Sequence, residues 1–311
     1  MGTGKGYGKT ILFGEHFVVY GLPAIASALG TYTTANVKVI ESNGWVVDDQ
    51  RPATPGYKKK KNDEAMHSIK NVIEHLNIDT TNQKLEITFK GNLIAASGVG
   101  ASAAQCTSLA RAFNDTFNLE LDDEKINEAA YEGEKAYHGT PSGIDNTAST
   151  YGGLIWFIKN LSGSKNTMDL MKASKKMHLV IANSGITAST TEVVADVRRL
   201  KEENQEKFEK IFKKYKIIAE EAKDALINGD INKTGTLMNK NHNLLREITV
   251  SGEVNEKLVD IALQAGALGA KMTGTGRGGL VIAVAENEES QLRISKAIKT
   301  KGYDAWKTMI G

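Results

Sequence analysis

The chain has 311 residues, of which 41% are hydrophobic and 24% charged, and its formal net charge is only +2. This composition is ordinary for a globular protein of about two domains, and the small net charge provides no basic field for nucleic acid. No apolar run approaches the roughly 20 residues of a membrane span, and the first residues lack the apolar region of a signal peptide. The single cysteine, Cys106, cannot form an internal disulfide, so we expect a cytoplasmic protein without membrane or nucleic-acid partners.

The first half of the chain contains segments typical of both strands and helices. Strands are predicted over residues 10–13, 33–40 and 154–158 and where Leu85, Ile87 and Phe89 alternate with polar residues. Helices are predicted after Asn62 as an N-cap, over residues 102–117, and from the cap Asp122 to about residue 137. The lysine run at 58–61 follows Pro55 and Gly56 and is expected to form a solvated loop.

The second half has its own pattern of elements. Strands are predicted over residues 178–182 and 280–285 and at the C-terminus, and helices over residues 190–200, 208–226, 233–247, 255–265 and 288–300. Strands and helices mix without strict βαβ alternation, which favours an α+β fold over a doubly wound sheet. The polar segment 161–176 is predicted to contain the domain boundary, which gives domains at residues 1–175 and 176–311.

A loop of small residues at 97–104 leads directly into the predicted helix at 102–117. Its sequence is Ser97-Gly98-Val99-Gly100-Ala101-Ser102-Ala103-Ala104. Glycine permits tight turns and the close approach of a ligand, and a helix N-terminus supplies unpaired N–H groups and the positive end of its dipole. Together they favour an anion site, most naturally for phosphate. The same pattern also fits a turn that only caps a buried helix, so the loop alone leaves both interpretations open.

Polar groups interrupt the first apolar segment of the chain. Gly8-Lys9-Thr10 ends like a P-loop, but the first position of that motif is Thr3 and no strand precedes it, which excludes a P-loop NTPase. Lys9 is either the solvated end of a strand or a cation in an active site. Glu15 and His16 need partners, either structural or from a ligand, because they stand between apolar residues. Cys106 shares a helical face with apolar residues, which indicates a core position rather than a nucleophile.

Two acids stand eleven positions apart around a segment rich in turn formers. Glu134 lies late in a predicted helix and Asp145 lies beyond the turn. They are either a surface acid and a helix cap, or a Mg²⁺ ligand and a carboxylate that meets a substrate hydroxyl. Phosphoryl transfer needs a phosphate cradle, a metal, a cation and a carboxylate that orients the acceptor. All four residue types occur in separate motifs of this chain.

Four motifs in a fixed order reveal a family resemblance. The chain reads GKTILFGEHFVVYG at 8–21, GVGASAA at 98–104, HGTPSGIDN at 138–146 and KMTGTGRGG at 271–279. In these motifs it resembles the GHMP kinases and, through the third, the mevalonate kinases, over nearly its whole length. The resemblance implies the two-domain α+β fold of that family. Its N-terminal domain would resemble domain 2 of ribosomal protein S5, its C-terminal domain would be ferredoxin-like, and the active site would lie in the cleft between them.

The resemblance also implies roles for the motif residues. Asp145 would act as the base or orienting group for the C5 hydroxyl of (R)-mevalonate, and Lys9 would pair with Asp145 and stabilise charge on the transferring phosphoryl group. Ser102 and Glu134 would hold the cofactor Mg²⁺. The ATP phosphates would be bound by Gly98, Val99, Gly100, Ala101, Ser102, Ala103 and Ala104. The substrate would be bound by Lys9, Glu15, His16, Asp145, Thr190, Gly274, Thr275 and Gly276.

Three positions depart from the family pattern. Tyr7 replaces a proline, Ala101 replaces the first serine of the loop, and Arg277, where many relatives carry glycine, either clamps a phosphate or caps the loop. The implied activity is ATP-dependent formation of 5-phosphomevalonate for isoprenoid biosynthesis, by a homodimer. One alternative is another GHMP kinase, acting on phosphomevalonate, the mevalonate 3-hydroxyl, homoserine or a sugar. A second alternative is a sensor that binds ATP and a metabolite without catalysis.

Overall fold

The computed structural model describes residues 1–95 and 98–311, which form two compact units. The first unit comprises Met1–Lys9 and Ala28–Gly152, and the second comprises Thr10–Ser27 and Gly153–Gly311. The strands β1 (Gly2–Phe13) and β2 (Ala24–Ile40) pair with each other and contribute residues to both units. Each unit is therefore assembled from a short N-terminal segment and a long later stretch of the chain.

The first unit packs helices on strands β2, β3 (Gly44–Asp49) and β4 (Lys84–Gly91). β4 runs antiparallel to β2 and parallel to β3. The helices are α1 (Tyr57–Lys60), α2 (Asn62–His75), α3 (Ala101–Phe117), α4 (Asp123–His138) and α5 (Ile144–Tyr151). Leu85, Ile87 and Phe89 of β4 enter a core that also holds Val72 of α2 and Phe113 of α3. The alternation along β4 thus buries one face of the strand, as period-2 patterning requires.

Glycines at the start of β1 bring this strand into direct contact with α3. A Cβ atom on Gly4 would overlap the carbonyl oxygen of Ser108, and one on Gly6 would overlap that of Ala104. Any side chain at these two positions would push the strand away from the helix, which is the kind of close backbone approach that calls for glycine. The first residues of β1 therefore fix the position of the helix that follows the small-residue loop.

The second unit contains the strands β5 (Leu154–Ile158), β6 (Thr167–Met171), β7 (Met177–Asn183), β8 (Gly269–Thr273), β9 (Leu280–Ala285) and β10 (Asp304–Ile310). The last four of these strands form an antiparallel sheet in the order β10-β7-β9-β8. The helices of this unit are α6 (Thr190–Glu203), α7 (Gln205–Asn228), α8 (Ile231–Glu247), α9 (Glu253–Gln264) and α10 (Glu288–Thr300). β5 pairs with residues 24–27 of β2 and with β6. One core joins Val180 and Val281 of the sheet to Leu258 and Ile294 of the helices.

The α+β class predicted from the sequence is confirmed, and so are most of the predicted elements. The predicted helix at 102–117 is α3, and Asp122 caps α4 by accepting a hydrogen bond from the backbone N–H of Lys125. Cys106 is buried and free, and burial raises the pKa of its thiol well above the usual range, as expected of a core residue. Among the described helices, none combines the length and the apolarity that crossing a membrane requires.

Two local predictions were wrong. The lysine run at 58–61 is not a loop, because Tyr57–Lys60 forms the single helical turn α1. Asn62 is the first residue of α2 rather than its cap; Lys61 occupies the N-cap position, and its side chain makes no capping hydrogen bond. Val18–Tyr20, for which no element was predicted, form a 3₁₀ turn.

Candidate active site

Lys9 and Asp145 form an ion pair within the first unit. Lys9 Nζ lies 3.1 Å from Asp145 Oδ1, and the exposed fractions of the two side chains are 4% and 25%. The backbone N–H of Lys9 donates a hydrogen bond of 2.8 Å to the carbonyl oxygen of Val99, which ties β1 to the small-residue loop. Asp145 lies in the first turn of α5, which begins after Gly143 at a φ of 91°. The pair thus combines a buried cation with a partly exposed carboxylate.

The small-residue loop lies against Lys9 and opens α3. Gly98 and Gly100 adopt φ values of 94° and 70°, which favour glycine. A Cβ atom on Gly100 would come within 2.7 Å of Lys9 Cγ, so glycine also permits this contact. Ala101, Ser102, Ala103 and Ala104 form the first turn of α3, whose N-cap Gly100 provides no side-chain hydrogen bond. The turn therefore presents backbone N–H groups for an anion. Ser97, the first residue of the predicted loop, lies outside the described residues.

Glu134 of α4 is a buried carboxylate whose two oxygens, Oε1 and Oε2, have no hydrogen-bond partner. Burial, followed by the nearby charge of Asp145, raises the pKa of Glu134 to about 8, whereas Ser102 and Lys9 oppose the rise. The nearest ring nitrogen, His138 Nε2, lies 3.8 Å from Glu134 Oε2. A fully buried carboxylate without a hydrogen bond is costly unless a cation binds it. Within the described parts of the chain, no three His, Cys, Asp or Glu residues cluster as a metal site. Mg²⁺ nevertheless often takes only one or two protein carboxylates besides phosphate and water, and Glu134 fits that demand.

Glu15 and His16 lie together in the second unit, directly after Gly14. The buried carboxylate of Glu15 forms an ion pair with the buried Lys271, while its Oε2 atom has no partner. His16 adopts a left-handed φ of 63°, and its Nε2 atom lies 2.8 Å from the carbonyl oxygen of Thr275. A carbonyl oxygen only accepts hydrogen bonds, so this contact requires Nε2 to carry the proton. In the neutral ring Nδ1 is then an acceptor. His16 Nδ1 is buried and without a partner. The pair therefore offers two acceptor atoms for a donor group.

The glycine-rich motif at 271–279 lies beside Thr190 in the second unit. The hydroxyls of Thr190 and Thr275 are 2.6 Å apart, and Thr190 is the first residue of α6. Gly274 and Gly276 both have a φ of 81°, and a Cβ atom on Gly276 would overlap the carbonyl oxygen of Val250. The structure thus brings together the predicted residues Glu15, His16, Thr190, Gly274, Thr275 and Gly276 in one unit, and Lys9, residues 98–104, Glu134 and Asp145 in the other.

Comparison with known proteins gives the family of the chain. Residues 65–153 match the GHMP kinases N terminal domain, and residues 222–304 match the GHMP kinases C terminal domain. The mevalonate kinase of Thermococcus sibiricus is 32% identical over 313 residues, which cover 94% of this chain and 91% of that protein. The chain belongs to the mevalonate kinase family of the GHMP kinases.

Solved mevalonate kinases also share its fold. The crystal structure of the L. major mevalonate kinase in complex with R-mevalonate is 40% identical, covers 100% of this chain and 96% of that one, and superposes with a TM-score of 0.96. The Methanococcus jannaschii mevalonate kinase is 25% identical, covers 99% of this chain and 98% of its own, and gives a TM-score of 0.82. The predicted two-domain GHMP kinase fold is therefore confirmed.

Arg277, which departs from the mevalonate kinase pattern, is held by contacts in its own unit. Its Nη1 atom lies 2.5 Å from Asp196 Oδ2, and its Nε atom donates to the carbonyl oxygen of Thr249. Its backbone N–H donates to the carbonyl oxygen of Val250 at 2.7 Å, while its φ is 49°. The sequence left open whether Arg277 clamps a phosphate or caps the loop at 271–279. These contacts favour the cap.

Sequence reasoning missed two residues that support this half of the site. Lys271 stands in the family motif at 271–279, but only the structure reveals it as the partner of Glu15, 256 positions away in the sequence. Tyr215 stacks on Phe17 with a centroid distance of 3.9 Å and donates a hydrogen bond from its hydroxyl to Pro23. Its position on the apolar face of α7 was the only signal. These contacts hold the segment that carries Glu15 and His16.

Acidification is expected to destabilise the protein through His16. Burial, which is the largest cause, together with the charges of Arg277 and Lys271 lowers the pKa of His16 to about 4, despite its hydrogen bond to Thr275. Between pH 6.5 and 4 the unfolded chain then binds a proton that the folded chain does not. Stability should fall with pH across this window, by up to roughly 3 kcal/mol for this group. The measurement is the melting temperature of wild type and His16→Asn at pH 7 and at pH 4.5.

Asparagine suits position 16 because it tolerates a left-handed φ. We expect His16→Asn to lose less stability on acidification than wild type, whereas His67→Asn, at an exposed histidine, should keep the wild-type loss. An identical pH-dependent loss in His16→Asn and wild type would contradict the assignment.

Proposed function

We propose that this chain transfers the γ-phosphoryl group of ATP to the C5 hydroxyl of (R)-mevalonate and so forms 5-phosphomevalonate. The observation that carries the proposal is the Lys9–Asp145 pair, which lies against the glycine-rich turn at the start of α3. A cation, an orienting carboxylate and a phosphate cradle are the parts that phosphoryl transfer requires. Similarity to the mevalonate kinases supports mevalonate as the acceptor.

Asp145 and Lys9 take the two central roles in this proposal. The carboxylate of Asp145 accepts a hydrogen bond from the C5 hydroxyl and aims its oxygen at phosphorus. Lys9 holds Asp145 in place and neutralises charge on the transferring group. Because the transition state is loose and resembles metaphosphate, it asks little of a base, so orientation and charge stabilisation matter more than basicity.

The proposed ATP site uses the loop at 98–104, with Mg²⁺ held by Glu134 and Ser102. The unpaired N–H groups at the start of α3 bind phosphate oxygens, and small side chains keep the backbone accessible. Mg²⁺ supplies charge neutralisation for the phosphates when it is bound. Ala101 lacks the hydroxyl of the first serine in the family motif, but Ser102 retains one.

The proposed mevalonate contacts in the second unit use acceptors that the protein leaves unpaired. Glu15 Oε2 and His16 Nδ1 are both buried and without partners, so a bound hydroxyl that donates to either atom would remove an energetic cost. Thr190, Thr275 and the flanking Gly274 and Gly276 provide hydroxyl and backbone groups nearby. A homodimer, which the family resemblance implies, stays a prediction.

Replacing Glu134 with glutamine is expected to raise the Mg²⁺ concentration needed for half-maximal activity about tenfold or more, because a carboxylate ligand is lost. The pKa of about 8 means that the metal-free protein already tolerates a neutral side chain here, so the variant should fold normally. The measurement is a Mg²⁺ titration of initial rates at fixed ATP. Glu128→Gln, on the exposed face of the same helix, should leave the titration unchanged. If Glu134→Gln requires the same Mg²⁺ concentration as wild type, Glu134 is not a metal ligand.

The first test of the function is phosphorus NMR of the product formed from MgATP and (R)-mevalonate. We expect a phosphomonoester coupled to the two C5 methylene protons. A phosphate without that coupling indicates transfer to the tertiary 3-hydroxyl and refutes the assignment of the acceptor. If no product forms, phosphomevalonate, homoserine and sugars are tried next, and binding of ATP and mevalonate without turnover of any acceptor would favour the sensor.

A further inference from the structure

Arg51 is a buried cation that follows β3 and has no role in the family motifs. Its side chain is only 5% exposed, and its guanidinium group forms two hydrogen bonds to Asp49, from Nε at 2.9 Å and from Nη2 at 2.8 Å. The guanidinium carbon also lies 5.4 Å from the ring centroid of Phe89. Arg51 is therefore fixed by its own unit before any ligand binds.

The remaining donors of Arg51 point to the first turn of α3. Nη1 donates to the carbonyl oxygen of Ala101 at 3.1 Å, and Nη2 donates to Gln105 Oε1 at 2.7 Å. Ala101 is the first residue of α3, and Gln105 lies one turn further along. The planar fork of arginine can satisfy Asp49 on one side and the helix on the other, which a single ammonium group cannot do.

Asp49 is in turn held as the charged partner of Arg51. Burial opposes its ionisation, but the hydrogen bonds and charge of Arg51 outweigh burial and hold the pKa of Asp49 below its usual value. Lys58 adds a second contact, with Nζ 3.5 Å from Asp49 Oδ1. This contact holds Lys58, the first residue of the lysine run, against Asp49 at the end of β3. The resulting cluster of Asp49, Arg51, Lys58 and Gln105 braces the turn that contains Ser102.

We propose that Arg51 is a positioning residue for MgATP, which fixes the first turn of α3 through Ala101 and Gln105. The inference rests on the proposed function, because that turn is the phosphate site. Catalytic alignment is sensitive to displacements of about 1 Å, and the N–H groups of Ala101, Ser102 and Ala103 move with the turn. Arg51 acts through the helix and does not itself contact the reacting atoms.

The same helix offers a matched control. Arg111 lies on α3 and donates hydrogen bonds to the carbonyl oxygens of Lys5 and Thr150, each at 2.8 Å, and to Asp123 at 2.6 Å. Like Arg51, it joins α3 to a neighbouring segment and to an aspartate. It stands ten positions after Ala101, so it braces the helix far from the phosphate turn. Loss of Arg111 therefore reports the effect of loosening α3 as a whole.

The experiment compares Arg51→Met, Arg51→Lys and Arg111→Met in the full chain. We expect both Arg51 variants to raise KM for MgATP about tenfold, with KM for mevalonate nearly unchanged. Lysine should fail to restore the affinity because it cannot bridge Asp49, Ala101 and Gln105. Arg111→Met should lower the melting temperature without changing KM for MgATP. Asp49→Asn, which weakens the hold on Arg51 with little change in volume, should shift KM in the same direction and serves if Arg51→Met does not fold.

Wild-type KM for MgATP in both Arg51→Met and Asp49→Asn would overturn the inference, and so would an equal rise in Arg111→Met. If Arg51→Met does not fold, a wild-type KM for MgATP in both Asp49→Asn and Arg51→Lys is sufficient to overturn the inference. Calorimetric binding of a non-hydrolysable ATP analogue with Mg²⁺ keeps the two proposals separate. A wild-type chain that fails to phosphorylate mevalonate would refute the proposed function, while the affinities of the variants for the analogue would still test Arg51.

Discussion

Asp145→Asn is expected to lower kcat for mevalonate phosphorylation about 10³-fold while MgATP binding stays close to wild type. The amide keeps the size of the side chain but loses the charge that pairs with Lys9 at 3.1 Å and the second oxygen that can orient the acceptor hydroxyl. The effect should appear in kcat because the interaction with the reacting hydroxyl strengthens as the phosphoryl group transfers. Single-turnover rates and calorimetric binding of a non-hydrolysable ATP analogue measure the two quantities separately.

Asp123→Asn is the control for Asp145→Asn. Asp123 also lies in the first turn of a helix and also forms an ion pair, with Arg111 Nη2 at 2.6 Å. It is more exposed, so its replacement should change stability little and leave kcat at the wild-type value. Near-wild-type turnover by Asp145→Asn would show that this carboxylate has no part in the chemistry.

The sequence predicted those parts of the fold and site that depend on local signals. Asp122 caps α4 as predicted because a capping side chain bonds within its own turn. The start of α3 was predicted to within one residue because the small-residue loop and the amphipathic pattern meet there. The demand of Glu15 and His16 for partners was also recognised, because burial of polar groups in an apolar segment costs free energy that partners offset.

The parts that the sequence did not predict depend on contacts between distant segments. The partner of Glu15 is Lys271, and nothing local to either residue indicates the pairing. The sequence around Arg51 does not distinguish it from other charged residues, and only the structure shows its hydrogen bond to Ala101. β8 was missed because its five residues, Gly269–Thr273, are all buried although lysine and threonine are among them, so they do not alternate. Only its antiparallel pairing with β9, seen in the structure, identifies these residues as a strand.

Lys9→Met is expected to lower kcat about 10²-fold, with a much smaller loss of MgATP affinity. Methionine retains an unbranched side chain of similar length, so it can occupy the buried position without a large cavity. It removes the cation that holds Asp145 and offsets charge on the transferring group. Steady-state kinetics with varied MgATP separates the two effects, and Lys38→Met, which removes an exposed cation paired with Glu86 instead, should retain wild-type kcat. If affinity for MgATP falls as much as kcat, Lys9 is a nucleotide anchor.

The double variant Lys9→Met/Asp145→Asn decides whether the two residues act as one unit. Groups that serve a single step give losses that do not add, because removal of either already disables the step. We therefore expect the double variant to lose little more activity than Asp145→Asn alone. Losses that multiply would mean that Lys9 and Asp145 stabilise the transition state independently, and the 3.1 Å contact between them would then be incidental to catalysis.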